Sequence, residues 1–150
     1  MQLTRAADYA VRVMMHLAAL PPGTRASRSE LAVAADCPEQ FLSKVLQSLT
    51  HAGLVISHRG NTGGFELLPD RATATILDVV EAVEGPIRLN LCLTSDRACT
   101  RQSWCPAHCL WDRAQEAMLS VLRGSSISDL AKQAPIDLPQ VNRPSIPEWS

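Results

Sequence analysis

Apolar residues at Ala7, Ala10, Val11, Met14, Met15 and Ala18 recur at helical spacing. The chain is therefore predicted to open with an amphipathic helix, capped by Thr4 and stopped by Pro21-Pro22-Gly23. Ser27-Arg28-Ser29-Glu30 has the form of a capping box and starts a short helix that should bury Leu31, Ala34 and Ala35. A third helix is predicted from Pro38 to His51. Phe41, Leu42, Val45, Leu46 and Leu49 form its apolar stripe, and Gly53 follows its end. Its other face carries Glu39, Gln40, Ser43, Lys44, Gln47 and Ser48. Such a helix runs about 20 Å, enough to cross a DNA groove.

Leu54-Val55-Ile56 and Phe65-Glu66-Leu67-Leu68 read as short strands, joined by the glycine-rich stretch from Ser57 to Gly64. That stretch lacks the Lys-Ser/Thr pair of a phosphate-binding loop and does not lead into a helix, so it is read as a hairpin tip. Three helices followed by a hairpin is the order of a winged helix-turn-helix. A fourth helix spans Thr75 to Glu84, with Ile76, Val79, Val80 and Val83 apolar and Gly85 at its end.

An irregular stretch from Pro86 to Pro106 comes next, and then a long helix from about His108 to Arg123. Its apolar face holds Leu110, Trp111, Ala114, Ala117, Met118, Val121 and Leu122, more than a helix lying free on a monomer should expose. Trp111, Ala114, Met118, Val121 and Leu122 are accordingly expected to form a homodimer seam. Ser128 is the expected cap of a last short helix with Leu130 and Ala131. Pro135, Pro139, Pro144 and Pro147 mark an extended tail. The expected fold class is mainly α. Residues 1–71 form the winged helix-turn-helix and 72–133 hold a linker helix, the cysteine loop and the dimerisation helix. Residues 134–150 form the Pro-rich tail.

In 150 residues, 14 basic side chains stand against 15 acidic ones, and 46% are hydrophobic. That balance excludes a disordered chain and gives no crude nucleic-acid signature. Residues 1–71 carry seven basic and six acidic side chains. DNA contact must therefore come from local placement. Gln40, Ser43 and Lys44 on the third helix, and His58, Arg59 and Gly60 at the wing, are the candidates. Arg59 beside glycines is suited to a narrow minor groove. The competing view is that these polar residues only face solvent, in a winged helix that binds protein. No apolar run reaches the roughly 18 residues of a membrane span, and Asp8 and Arg12 interrupt the first apolar stretch, so a cytoplasmic location without membrane association is expected.

The cysteines change the picture most. Cys92-x6-Cys99-x5-Cys105-x2-His108-Cys109 places four thiols and an imidazole within 18 residues. Soft thiolates select zinc or an iron–sulfur cluster, and an imidazole can complete either. The absence of a Cys-x2-Cys pair disfavours a structural zinc knuckle. A Cys–His catalytic pair lacks any orienting group or oxyanion hole, so an enzyme is not expected. Cys37, just before the third helix, reads as a small residue packed at a helix start.

Several segments resemble one family of regulators. They are Met1-Gln2-Leu3-Thr4, Asp8-Tyr9-Ala10-Val11-Arg12, Ala52-Gly53-Leu54-Val55, Arg59-Gly60-x-x-Gly63-Gly64, Asp78-Val79-Val80, the three-cysteine loop and Leu110-Trp111. Together they are similar to the winged-helix iron–sulfur transcription regulators that include IscR, NsrR and RirA, over about residues 1 to 133. The resemblance implies a homodimer whose cluster controls binding to a double-stranded DNA operator. It implies Cys92, Cys99 and Cys105 as ligands. His108 matches the fourth ligand of the IscR-like branch, which holds [2Fe–2S], and Asp8 matches that of NsrR-like members holding [4Fe–4S]. Cys109 is an additional thiol and a further candidate. The rival expectations are a cluster-free thiol-switch or zinc-stabilised regulator, and a winged-helix protein-interaction module.

Overall fold

The computed structural model describes residues 2–95 and 97–133, so the Pro-rich tail at 134–150 lies outside the described residues. Helix α1 spans Arg5–Ala19, with the Thr4 hydroxyl accepting from the Ala7 N–H. It buries Ala7, Ala10, Val13, Met14 and Leu17. Val13 and Leu17 were not part of the predicted stripe. Because α1 is packed by α2, α3, α4 and α6, its buried arc is wider than the pattern implied, and Val11, Met15 and Ala18 lie half-buried at its margins.

Helix α2 spans Arg28–Ala35 and carries the predicted capping box. The Ser27 N–H donates to Glu30 Oε2 at 2.6 Å, and the Glu30 N–H donates to Ser27 Oγ at 3.2 Å. Ala32 is buried and Ala34 exposed, a correction to the sequence reading, because α1 and α3 approach α2 from the Leu31 and Ala35 side. Helix α3 covers Glu39–His51, with Pro38 at its N-cap and Gly53 at φ +70° beyond its end. Leu42, Val45, Leu46 and Leu49 are buried as expected, but Phe41 is 61% exposed. Its ring stands at the mouth of an apolar cavity of about 630 Å³ shared with Tyr9, Val45 and Val83.

Strands β1 (Val55–His58) and β2 (Gly64–Leu67) pair antiparallel, Val55 opposite Leu67 and His58 opposite Gly64. Ala26 bridges the outer edge of β2 through two backbone bonds to Phe65, at 3.0 and 2.8 Å. The wing is thereby fastened to the chain just ahead of α2. Gly64 has φ +138°, and a side chain there would meet the Ala26 carbonyl at 2.7 Å. The glycines thus serve close backbone approach as well as turning.

After a 3₁₀ turn at Pro69–Arg71, helix α4 (Ile76–Glu84) starts with a second capping box, Thr75 with Asp78. It ends at Gly85, φ +77°. A further 3₁₀ turn covers Leu91–Leu93. Helix α5 runs Pro106–Arg123, two residues earlier than predicted, because Pro106 takes the first-turn place where no N–H is needed. Helix α6 spans Ile127–Gln133. Its cap is Ser126, whose Oγ accepts from the Asp129 N–H at 3.1 Å, and not Ser128. The Ile76 N–H donates to the Ser125 carbonyl and the Ile127 N–H to the Ala74 carbonyl, both at 2.9 Å. These bonds seat Ile127, fully buried, in the same core as Val13, Met14, Leu42 and Val79. A second cluster, Ala7, Leu77, Val80, Ile87 and Leu119, joins α1 and α4 to α5. Fold class is as expected: mainly helical, a winged helix-turn-helix followed by a long helix.

Candidate functional site

The polar face of α3 and the wing lie on either side of a cavity of about 420 Å³ bordered by Arg28, Ser43, Gln47, Thr50, His51 and Ser57. Gln40 and Lys44 are exposed. Arg59 and Gly60 are at the hairpin tip, where Gly60 has φ +97°. Ser43 is half-buried, and its hydroxyl is engaged twice: it donates to the Glu39 carbonyl at 3.1 Å and accepts from Arg28 Nη1 at 3.2 Å.

His58 is turned back onto the wing. Its Nε2 lies 2.9 Å from Glu66 Oε2, an oxygen that also has Arg25 Nε at 3.7 Å. Arg25 Nη1 donates to the Thr62 carbonyl at 3.0 Å. These contacts brace the hairpin from both strands and hold its tip in place. Sequence reasoning missed Arg25 and Arg28. One signal was available for Arg28: a cation in the first turn of a helix opposes the helix dipole and needs another reason to be there.

The cysteine loop is held against α5 by a hydrogen bond from the Leu89 N–H to Gln115 Oε1 at 2.9 Å. Asn90 caps the following turn through its side chain, accepting from the Leu91 N–H at 2.8 Å. Cys105 is the N-cap of α5, and its carbonyl accepts from the His108 N–H at 3.1 Å. Between loop and helix is a cavity of about 290 Å³ lined by Cys92, Cys99, Gln102, Cys105, His108 and Trp111. The three cysteines are half-buried free thiols. His108 Nδ1 is buried with no hydrogen-bond partner, an orphaned acceptor or donor that a bound group would satisfy. Soft donors and an orphaned imidazole nitrogen around one cavity fit an iron–sulfur group chemically. Among the described residues no three His, Cys, Asp or Glu side chains converge on a point that could hold a single metal ion.

The two alternative fourth donors lie elsewhere. Asp8 pairs with Arg12 at 2.7 Å on α1, and Cys109 is exposed and outside the cavity lining. Cys37 is buried and donates to the Pro38 carbonyl at 3.4 Å. Burial pushes its thiol up, and the nearby Arg12 guanidinium only partly opposes this, which suits the packing place that Cys37 holds in the main core. On α5, Trp111 and Val121 are exposed, Ala114, Met118 and Leu122 half-buried, and Leu119 alone is buried.

No helix among the described residues is long and apolar enough to cross a membrane. The chain matches the Rrf2 family, "Iron-dependent Transcriptional regulator", over residues 3–133. Protein aau3 of Rhizobium meliloti (strain 1021) is 37% identical over 137 residues, 90% of this chain and 88% of its own. The structure of CymR, the global cysteine regulator of B. subtilis, aligns with a TM-score of 0.70 at 28% identity, covering 90% of this chain and 99% of that one. IscR of T. potens aligns with a TM-score of 0.71 at 21% identity, covering 90% and 89%, a likeness of fold. On the family match across its helices, wing and cysteine loop, the chain belongs to the Rrf2 family of transcriptional regulators, which are DNA-binding proteins and not enzymes.

Proposed function

We propose that this regulator acts as a homodimer on a two-fold DNA operator, and that an iron–sulfur cluster held by Cys92, Cys99, Cys105 and His108 controls its binding. The single observation that carries the reading is the cavity shared by these four side chains, with His108 Nδ1 buried and unpartnered. A [2Fe–2S] cluster is favoured. Asp8 as a ligand from the second protomer would favour [4Fe–4S] instead. When bound, such a cluster supplies a centre sensitive to oxidation, nitric oxide or iron supply. In this reading residues 1–71 are the DNA-binding part and 72–133 the sensing and dimerising part.

Within the second part, the chain's own contacts tie the cysteine loop to α5, and the cluster of Ala7 with Leu77, Val80, Ile87 and Leu119 carries α5 onto α1. Leu89 is bonded to Gln115 and Cys105 caps α5, so the order of the loop and the placement of α5 are coupled. In a dimer built along α5, through Trp111, Ala114, Met118, Val121 and Leu122, that placement sets the separation of the two α3 helices. Gln40, Ser43 and Lys44 would enter the major groove while Arg59 and Gly60 reach the minor groove; His58 serves by bracing the tip.

Purification without oxygen, with iron and sulfide analysis and visible spectroscopy, tests the cluster. A brown protein that loses its colour on Cys92→Ser, Cys99→Ser or Cys105→Ser is expected. A colourless protein that still binds its operator would overturn it. The likeness to CymR favours one second reading, a regulator using the same thiols without a cluster. For DNA, Arg59→Ala should weaken operator binding markedly, and Lys44→Ala should weaken it uniformly across sequences with a smaller salt slope.

A further inference from the structure

The contact between Arg28 and Ser43 joins the first residue of α2 to the middle of the polar face of α3, fifteen positions along the chain. Three observations make it more than a surface hydrogen bond. Arg28 is exposed, and among the described residues no carboxylate lies within ion-pair distance of it. It occupies the first turn of α2, where the helix dipole disfavours a cation. Its hydrogen-bond partner among the described residues, Ser43, is itself pinned to the Glu39 carbonyl one turn back on α3. A residue placed against its helix dipole, without an ion-pair partner, and held over the polar face of α3 is positioned for something outside the protein.

We infer that Arg28 is a specificity-determining residue that reads a base edge in the major groove, with Ser43 as its positioning residue. This rests on the DNA-facing assignment of α3 proposed above. The Ser43 hydroxyl takes one Nη1–H and leaves the other donors of the planar guanidinium free. The O6 and N7 acceptors of guanine suit two parallel N–H donors, which makes guanine the expected base. Ser43 is therefore expected to act through the arginine, and the borders of the adjoining cavity, Gln47 and Ser57 among them, leave room for the base edge beside it.

The test uses the full-length protein and a selection from randomised DNA duplexes, followed by affinity measurements on the best site and its single-base variants. Arg28→Ala should erase a guanine preference at one position and its symmetric mate, with about a ten-fold loss on the best site. Arg28→Lys should not restore that preference, because an ammonium cannot present the paired donors. Ser43→Ala should blunt the preference at the same positions, and adding it to Arg28→Ala should do nothing more there. The inference is overturned if Arg28→Ala lowers affinity equally on every sequence and Arg28→Lys restores it, the behaviour of a phosphate contact. It is equally overturned if Arg28→Ala changes nothing while Lys44→Ala and Arg59→Ala weaken binding. If all three substitutions are silent, the assignment of the DNA face itself has failed. Arg28 is exposed, so an unaltered melting temperature should accompany its loss and separates misfolding from lost contact.

Discussion

The backbone N–H of Leu89 and the side-chain oxygen of Gln115 meet at 2.9 Å, tying the start of the cysteine loop to the middle of α5. The bond is partly buried; Ile87 packs beside it in the cluster around Leu119, and Cys105 and His108 join loop to helix at the far end. Gln115→Leu removes the acceptor while keeping similar bulk. A stability loss of about 1 kcal/mol is expected, the usual scale for one such bond with its donor left unpaired. The thiols of Cys92 and Cys99 should react faster with a disulfide reagent under oxygen-free conditions. Unchanged thiol rates would show that this bond does not order the loop.

The wing makes a sharper demand on residue type. At Gly63 a side chain would meet the His58 carbonyl at 2.4 Å, and at Gly64 the Ala26 carbonyl at 2.7 Å, both backbone atoms that cannot yield alone. Gly60 has open space around it and only its positive φ to oppose a side chain. Gly63→Ala and Gly64→Ala should each lower stability by roughly 1–3 kcal/mol, and Gly60→Asn by clearly less, since Asn tolerates the left-handed region. Chemical denaturation of the three variants gives the order directly.

Ile127 links the last helix to the first half of the chain. Fully buried in the main core, it should cost roughly 2–5 kcal/mol when cut to alanine. Val33, 82% exposed, should tolerate the same truncation with almost no change. If Ile127→Ala melted like the wild type, α6 would not be part of that core in solution.

For assembly, the informative position is Val121. It is 68% exposed on α5, whereas Met118 also packs against the buried cluster around Leu119. Val121→Asp should therefore yield a folded monomer with poor operator binding. Met118→Asp should damage the fold as well. Sedimentation together with circular dichroism distinguishes the two effects, and a wild-type protein that is monomeric at micromolar concentration would refute the dimer.

The capping box of α2 predicts a pH effect of known sign. Bonds from the Ser27 backbone N–H, and then its hydroxyl, hold the Glu30 carboxyl below the usual glutamate range. A depressed carboxyl stabilises the fold at pH values above the ordinary range near 4.3, and that contribution fades as pH falls through the lowered value. Glu30→Ala should thus melt below wild type at neutral pH and converge on it in acid. Loss of the Ser27 side chain should cost about 1 kcal/mol at neutral pH.

The local features were determined by the sequence alone. Thr4, Ser27 with Glu30, and Gly85 mark helix ends because capping is settled within four residues of the cap. The wing was legible from its glycines, and spacing brought Cys92, Cys99, Cys105, His108 and Cys109 into one short loop before a helix start; the resemblance singled out the first four, and the structure leaves Cys109 outside the cavity they line. Only the tertiary structure decided which apolar residues turn inward. Phe41 fits the α3 stripe but lines an open cavity, and Ile127 and Leu119 lack a clear periodic cue yet are buried where α6 meets α1 and α5 meets α4. It also decided that His58 faces Glu66 and that Arg28 meets Ser43. Periodicity reports one helix at a time, whereas burial and pairing depend on which neighbouring elements arrive and from what side.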